Sequence, residues 1–300
     1  MAAVAIAVPL PSAPAQPAGF DLVAHRGGPG EAATEGSLQA FGNALEVGVS
    51  TLEFDIVITK DHQPVVWHDQ TIESQKCADT GPVFAGDPQY PYVGKQVHNL
   101  TLSQVRTLDC GNQVVTLPEV FALADRYRAD VRYDIETKVN AEEPSTSGSP
   151  QEFVDVIMAA VRSAGLLERV EIQSFDWATL LLVRQAQPSI PVVALWNETT
   201  WRPDSPWLAG INPAVVGDPI TAAMMVGANI LSPAHTLADN ALIDRAHALG
   251  LKVIPWTIND ADTMRAQIAA GADGIITDRP AILRAVLAEL GMPLPPAYHR

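Results

Sequence analysis

Thr51-Leu52-Glu53-Phe54-Asp55-Ile56-Val57-Ile58 alternates with period two, setting Leu52, Phe54, Ile56 and Ile58 on one face and Glu53 and Asp55 on the other. Such a strand would turn its apolar side towards helices and its two acids towards a polar interior. Working outward, strand-like runs occur at 21–25, 51–59, 131–136, 170–174, 191–196, 229–232, 252–257 and 273–277. Helical periodicity follows them at 37–47, 118–128, 151–164, 176–187, a poorly defined 214–226, 239–249, 261–270 and 280–290. Eight such units in 300 residues are what a (β/α)8 TIM barrel requires. A doubly wound open sheet is the alternative that periodicity leaves open.

Two stretches exceed a minimal barrel. Residues 70–116 are too long for a strand-to-helix connection, and their Gly, Pro and Tyr content points to a compact insertion after the second strand region. Residues 140–150 read as an exposed polar loop. No linker divides the chain, so 19–292 is expected to form one barrel domain, followed by a C-terminal tail at 293–300. Asp278, just before Arg279-Pro280, reads as the N-cap of the last helix.

The uncharged, Ala/Pro-rich residues 1–18 resemble the back half of a secretory signal, with Ala13-Pro14-Ala15 as a cleavage site, or else a plain tail. Cys77 and Cys110 are the two cysteines in the chain and can pair only with each other. A bridge between them would contribute about 3.7 kcal/mol by restricting the unfolded chain. Export and a disulfide support one another, so a periplasmic or secreted protein is expected. No run approaches the ~20 apolar residues of a transmembrane segment. With 34 acids against 19 Lys and Arg, a net charge of −15 argues against nucleic acid and anionic membrane as partners.

The acids carry the chemical signal. Glu53 and Asp55 side by side would repel by about 4 kcal/mol at ~4 Å and an effective dielectric of 20, so something cationic should compensate. Alternation aligns Glu136 with Lys138 at the end of the next parallel strand. Three carboxylates without a Cys/His cluster suit one hard divalent cation, Ca²⁺ or Mg²⁺. Ion pairing of the acids with Arg26, Arg132 and Lys138 is the plainer alternative. His25 and His68 each end a strand-like run, where a pair could act as general acid and general base. Trp67 and Phe175 read as core packing, and the other histidines as structural.

Together these segments resemble the glycerophosphodiester phosphodiesterase family. The likeness runs through His25-Arg26-Gly27, Thr34-Glu35-Gly36-Ser37, Glu53-Phe54-Asp55 and Pro64-Val65-Val66-Trp67-His68-Asp69, and returns at Trp256-Thr257-Ile258-Asn259 and 271–280. It implies a metal site of Glu53, Asp55 and Glu136, with His25 and His68 as the acid/base pair. It also implies phosphate binding by Arg26 and Lys138, and a substrate pocket shaped by Glu35 and Trp256. The family's Pro-Glu-Asn-Thr run is Thr34-Glu35-Gly36-Ser37 here, which keeps the acid in altered surroundings. The activity implied is hydrolysis of glycerophosphodiesters, such as glycerophosphocholine, to sn-glycerol 3-phosphate and an alcohol; attack by the glycerol hydroxyl through a cyclic phosphate is the expected route, with direct attack by metal-bound water as the alternative. Cleavage of lysophospholipids, and phosphodiester binding without turnover, are the alternatives.

Overall fold

The computed structural model describes residues 19–300; the expected signal remnant at 1–18 lies outside the described residues. Among the described residues there are nine strands: β1 (Asp21–Ala24), β2 (Thr51–Ile58), β3 (Pro64–Val66), β4 (Arg132–Thr137), β5 (Val170–Ser174), β6 (Val192–Trp196), β7 (Ile230–Pro233), β8 (Lys252–Val253) and β9 (Gly274–Thr277). Eight run parallel in the order β8-β7-β6-β5-β4-β2-β1-β9. Backbone bonds from Asp273 N to Val253 O (2.9 Å) and Ile276 N to Pro255 O (3.1 Å) join the two ends into a nearly closed barrel. The ninth strand, β3, was not among the eight read from the sequence. It folds back antiparallel on β2, with Ile56 opposite Val66, and so carries the following Trp67-His68-Asp69 to the mouth.

The crossover helices occupy the expected places, with one difference. The stretch read as a single helix over 214–226 is two short helices, Pro213–Val216 and Pro219–Met225. Gly217 ends the first at φ 71°, and the Asp218 side chain caps the second by accepting from Thr221 N, with Pro219 in its first turn.

Outward-facing residues of the strands pack on the helices: Phe54 meets Phe41 edge-on at 5.5 Å, and Tyr133 meets Phe121 at 4.9 Å. The barrel interior divides in two. Val23, Val193, Ile230, Ile254 and Ile276 form a small apolar cluster on one side. On the other, register sets Glu53, Asp134 and Glu171 in one row and Asp55, Glu136 and Gln173 in the next. Arg132 stays among the deeper acids, bonded to Asp21 and 3.4 Å from Glu171 Oε2, and does not join Glu53 or Asp55.

Residues 67–116 wrap a second apolar cluster that includes Ile72, Tyr92, Val97, Leu100 and Val105, seated on Val57 and Val65. Cys77 and Cys110 form a disulfide within it. The last residues lie along the barrel, where Tyr298 N donates to Leu45 O at 2.9 Å and the Arg300 guanidinium sits 4.9 Å from the Tyr127 ring. No helix among the described residues is long and apolar enough to cross a membrane.

The deeper acids make a prediction about stability. Burial raises the Glu171 carboxyl to about 7, against the opposing charge of Arg132. In the unfolded chain the same group ionises near its ordinary value of 4.5. Its contribution is therefore fully present below pH 4.5 and is lost as pH rises through about 7. Urea unfolding of wild type and Glu171→Gln across this window should show the substitution flattening the decline; parallel curves would contradict the assignment.

Candidate active site

At the C-terminal mouth, β1 ends in a tight 3-10 turn, His25–Gly27. Arg26 adopts φ 50°, an uncommon conformation for a branchless but bulky side chain, and Gly28 follows at φ 60°. A Cβ on Gly28 would lie 2.6 Å from Pro280 Cγ, so the turn needs glycine there to sit against the last helix. The turn aims the Arg26 amide at Glu53 Oε2 (2.7 Å) and brings its Nε within 3.2 Å of Asp55 Oδ2. The following loop returns through a bond from Gly36 N to Arg26 O (2.9 Å), which delivers Glu35 to Arg26 Nη1 at 3.0 Å.

Glu53, Asp55 and Glu136 are buried and offer carboxylate oxygens all within 4.8 Å of one another. Lys138 Nζ lies 2.7 Å from Glu136 Oε1 and 3.5 Å from Asp55 Oδ1. The three acids feel different surroundings. Burial would raise Asp55, but Lys138 and Arg26 on either side hold it down at about 2. Burial raises Glu53 to about 8, helped by the charges of Asp55 and Glu136 and opposed by His25. Glu136 is also raised by burial, with Lys138 opposing. Asp55 Oδ1 is buried without a hydrogen bond. A donor set of three hard oxygens, one of them with no hydrogen bond and only a 3.5 Å ion pair to Lys138, fits a divalent cation.

Each histidine is backed by a carboxylate. His25 Nδ1 lies 2.6 Å from Asp278 Oδ1, whose other oxygen accepts from Asn259 Nδ2 at 2.6 Å. Asp278 is thus a partner of His25 and not the helix cap expected from sequence; the cap position falls on Arg279, which makes no side-chain cap bond. His68 Nδ1 lies 2.7 Å from Asp69 Oδ1. Burial lowers His25, but Glu53 and the Asp278 hydrogen bond outweigh it and raise the ring above its ordinary value. Burial and the Lys138 charge lower His68.

Two cavities meet at His68. One, of about 380 Å³, lies under the insertion and is walled by Arg26, Glu35, Asp55, Trp67, His68 and Lys76 among others. The second, of about 340 Å³, lies towards β4 and β5, with Glu136, Lys138, Phe175 and Trp207 in its wall. Trp67 and Phe175, read as core, are half-buried and line these cavities. Trp256 belongs to neither wall; it stands edge-on to Phe175 at 5.5 Å and donates from Nε1 to Ser232 O at 2.8 Å. His25 is likewise outside both walls and joins the cluster from the Glu53 side.

Sequence reading passed over Gln173, whose Nε2 donates to Glu53 Oε1 at 2.8 Å. Alternation along β5 gives its inward position, since Gln173 shares a face with Glu171 two residues earlier. It also passed over Lys76, which bridges Glu35 Oε1 (2.9 Å) and Asp69 Oδ2 (2.6 Å) from the insertion; nothing local to Lys76 marks it.

A barrel mouth that joins an acidic cluster able to hold a divalent ion, two half-buried cations and two carboxylate-backed histidines suits hydrolysis of an anionic ester, and this is the class of enzyme that fold and site define. The chain belongs to the glycerophosphoryl diester phosphodiesterase family, whose model matches residues 25–282. It is 27% identical to a glycerophosphodiester phosphodiesterase of Caldanaerobacter subterraneus subsp. tengcongensis, over 87% of this chain and 95% of the relative. A putative glycerophosphoryl diester phosphodiesterase of Silicibacter pomeroyi superposes with a TM-score of 0.77 at 26% identity, covering 92% of this chain and 96% of that one. An Oleispira antarctica phosphodiesterase, solved in complex with sn-glycerol-3-phosphate, shares the fold at a TM-score of 0.69 and 18% identity, covering 89% and 96%.

Gln173 orients Glu53, so if the cluster holds a divalent cation Gln173→Leu should weaken its affinity roughly 10- to 100-fold in calorimetric titration with Ca²⁺ or Mg²⁺ while the fold persists. Unchanged affinity would remove Glu53 from the ion seat.

Proposed function

We propose that the chain hydrolyses water-soluble glycerophosphodiesters to sn-glycerol 3-phosphate and an alcohol, using His68 as general base and His25 as general acid. The observation that carries this reading is the pair of carboxylate-backed histidines flanking the Glu53–Asp55–Glu136 cluster and its cations. A Ca²⁺ or Mg²⁺ ion held by those three carboxylates would neutralise phosphate charge and acidify a nearby hydroxyl. Arg26 and Lys138 bind the non-bridging phosphate oxygens and stabilise the charge that develops on them.

His68, kept neutral by burial and Lys138, takes the proton of the substrate's glycerol hydroxyl as its oxygen bonds to phosphorus. His25, whose Nδ1 lies 2.6 Å from Asp278 Oδ1, gives its proton to the departing alcohol as the phosphorus–oxygen bond breaks. The product of this step is a cyclic glycerol phosphate. Water then opens the ring with the histidine roles reversed, giving sn-glycerol 3-phosphate and restoring both protonation states. The glycerol carbons lie against Phe175 and Trp207, behind which Trp256 packs. The leaving group occupies the cavity beneath the insertion, where Glu35 forms part of the wall.

A buried disulfide supports action in an oxidising compartment such as the periplasm or the extracellular space. The catalytic unit assigned is 19–292, with the insertion at about 70–116.

Purified protein should release glycerol 3-phosphate from glycerophosphoglycerol or glycerophosphocholine, lose this activity in EDTA and regain it with Ca²⁺ or Mg²⁺. His25→Ala and His68→Ala should each lower kcat by about 10²- to 10⁴-fold. Failure of folded, ion-loaded protein to cleave any glycerophosphodiester would overturn the proposal.

A further inference from the structure

We infer that Lys76 is a built-in cation occupying the seat a positively charged head group would need, so that the site selects diesters whose leaving alcohol is a neutral polyol. This rests on the reading above that the leaving group enters the cavity beneath the insertion.

A cationic head group such as choline is recognised by an aromatic face with carboxylates around it. Those parts are all present in this cavity: the Trp67 ring, Glu35 and, beside them, Asp69. They are already engaged. Lys76 Nζ sits 5.7 Å from the centre of the Trp67 ring. It also lies 2.9 Å from Glu35 Oε1 and 2.6 Å from Asp69 Oδ2. A quaternary ammonium entering here would meet a like charge where it needs an aromatic face, and would find both carboxylates neutralised. Arg26, 3.0 Å from the other Glu35 oxygen, adds a second positive charge to the same wall.

What the cavity still offers is uncharged. Thr34, Gln75 and Asn112 line it with a hydroxyl and two amides, groups that exchange hydrogen bonds with alcohol hydroxyls. Lys76 is an exposed residue at the cavity rim, and its place is set by its two ion pairs and the Trp67 ring. The next residue, Cys77, is buried and bonded to Cys110, which itself lines the cavity. The insertion therefore holds the cation against the barrel's aromatic and acidic groups. Discrimination of this type works by a repulsive element as much as by an attractive one.

The test compares kcat/KM for glycerophosphoglycerol and glycerophosphocholine in wild type, Lys76→Met and Lys76→Arg, alongside calorimetric titration of each protein with tetramethylammonium chloride. Wild type should prefer the glycerol diester, and Lys76→Met should move the ratio towards choline by about tenfold or more and bind tetramethylammonium at least about tenfold more tightly. Lys76→Arg, which keeps the charge, should retain the wild-type preference. Wild type that cleaves the choline diester as well as the glycerol diester overturns the inference, even where Lys76→Met fails to fold. So does a folded Lys76→Met that shifts neither the ratio nor tetramethylammonium binding. Absence of turnover on both diesters would sink the phosphodiesterase proposal, while the tetramethylammonium titration would still decide whether Lys76 fills a cation seat.

Discussion

Three buried carboxylates crowded together across two adjacent rows of the barrel need positive charge, and much of the mouth is organised around supplying it. Arg26 and Lys138 flank Asp55 and hold it ionised. Two cations among three acids leave Glu53 short of compensation, which is why burial drives it towards protonation. The cost of the cluster is spread over distant elements. The β1 turn accepts a left-handed Arg26 to place its amide on Glu53, Gly28 lets that turn approach the last helix, and Gln173 reaches across from β5.

The same constraint explains why the barrel interior is asymmetric. Charged rows on β2, β4 and β5 are deep enough that Arg132 is needed below, among Asp21 and Glu171, and so is not free to serve the mouth. The opposite half is filled by valine and isoleucine from β1, β6, β7 and β9, with Ile254 beyond β8. One side of the interior carries the chemistry and the other gives the ring a rigid wall of branched side chains.

How much of this could be read from sequence depends on the range over which each feature acts. The β2 acids were legible because alternation within eight residues decides which side chains share a face. Helix positions were legible from periodicity, and where the 214–226 pattern was weak the chain does break, at Gly217. Partners set by closure of the ring were not. Asp278 meets His25 across 253 positions, and its local setting before Arg279-Pro280 imitates a helix cap. Trp67 and Phe175 look like core residues by type, yet their half-buried positions follow from which strand ends face the mouth, information no local window contains.

The insertion shows a different kind of limit. Its apolar cluster packs on Val57 and Val65 and encloses the disulfide, so its sequence is written mainly to satisfy that packing. Lys76 carries no periodic or spacing signal, because its significance arises only when the packed insertion meets Trp67, Glu35 and Asp69 on the barrel side. The division has a physical logic. The residues proposed as acid, base, ion ligands and phosphate cations would have to keep sub-ångström relations, and they are carried mostly by strands or the residues just beyond them, which cannot move independently. The outer wall of the leaving-group cavity has only to present charge or its absence at the correct distance. A disulfide-pinned loop meets that looser requirement, so under the proposed reading head-group choice can be altered there without disturbing the carboxylates that would hold the ion.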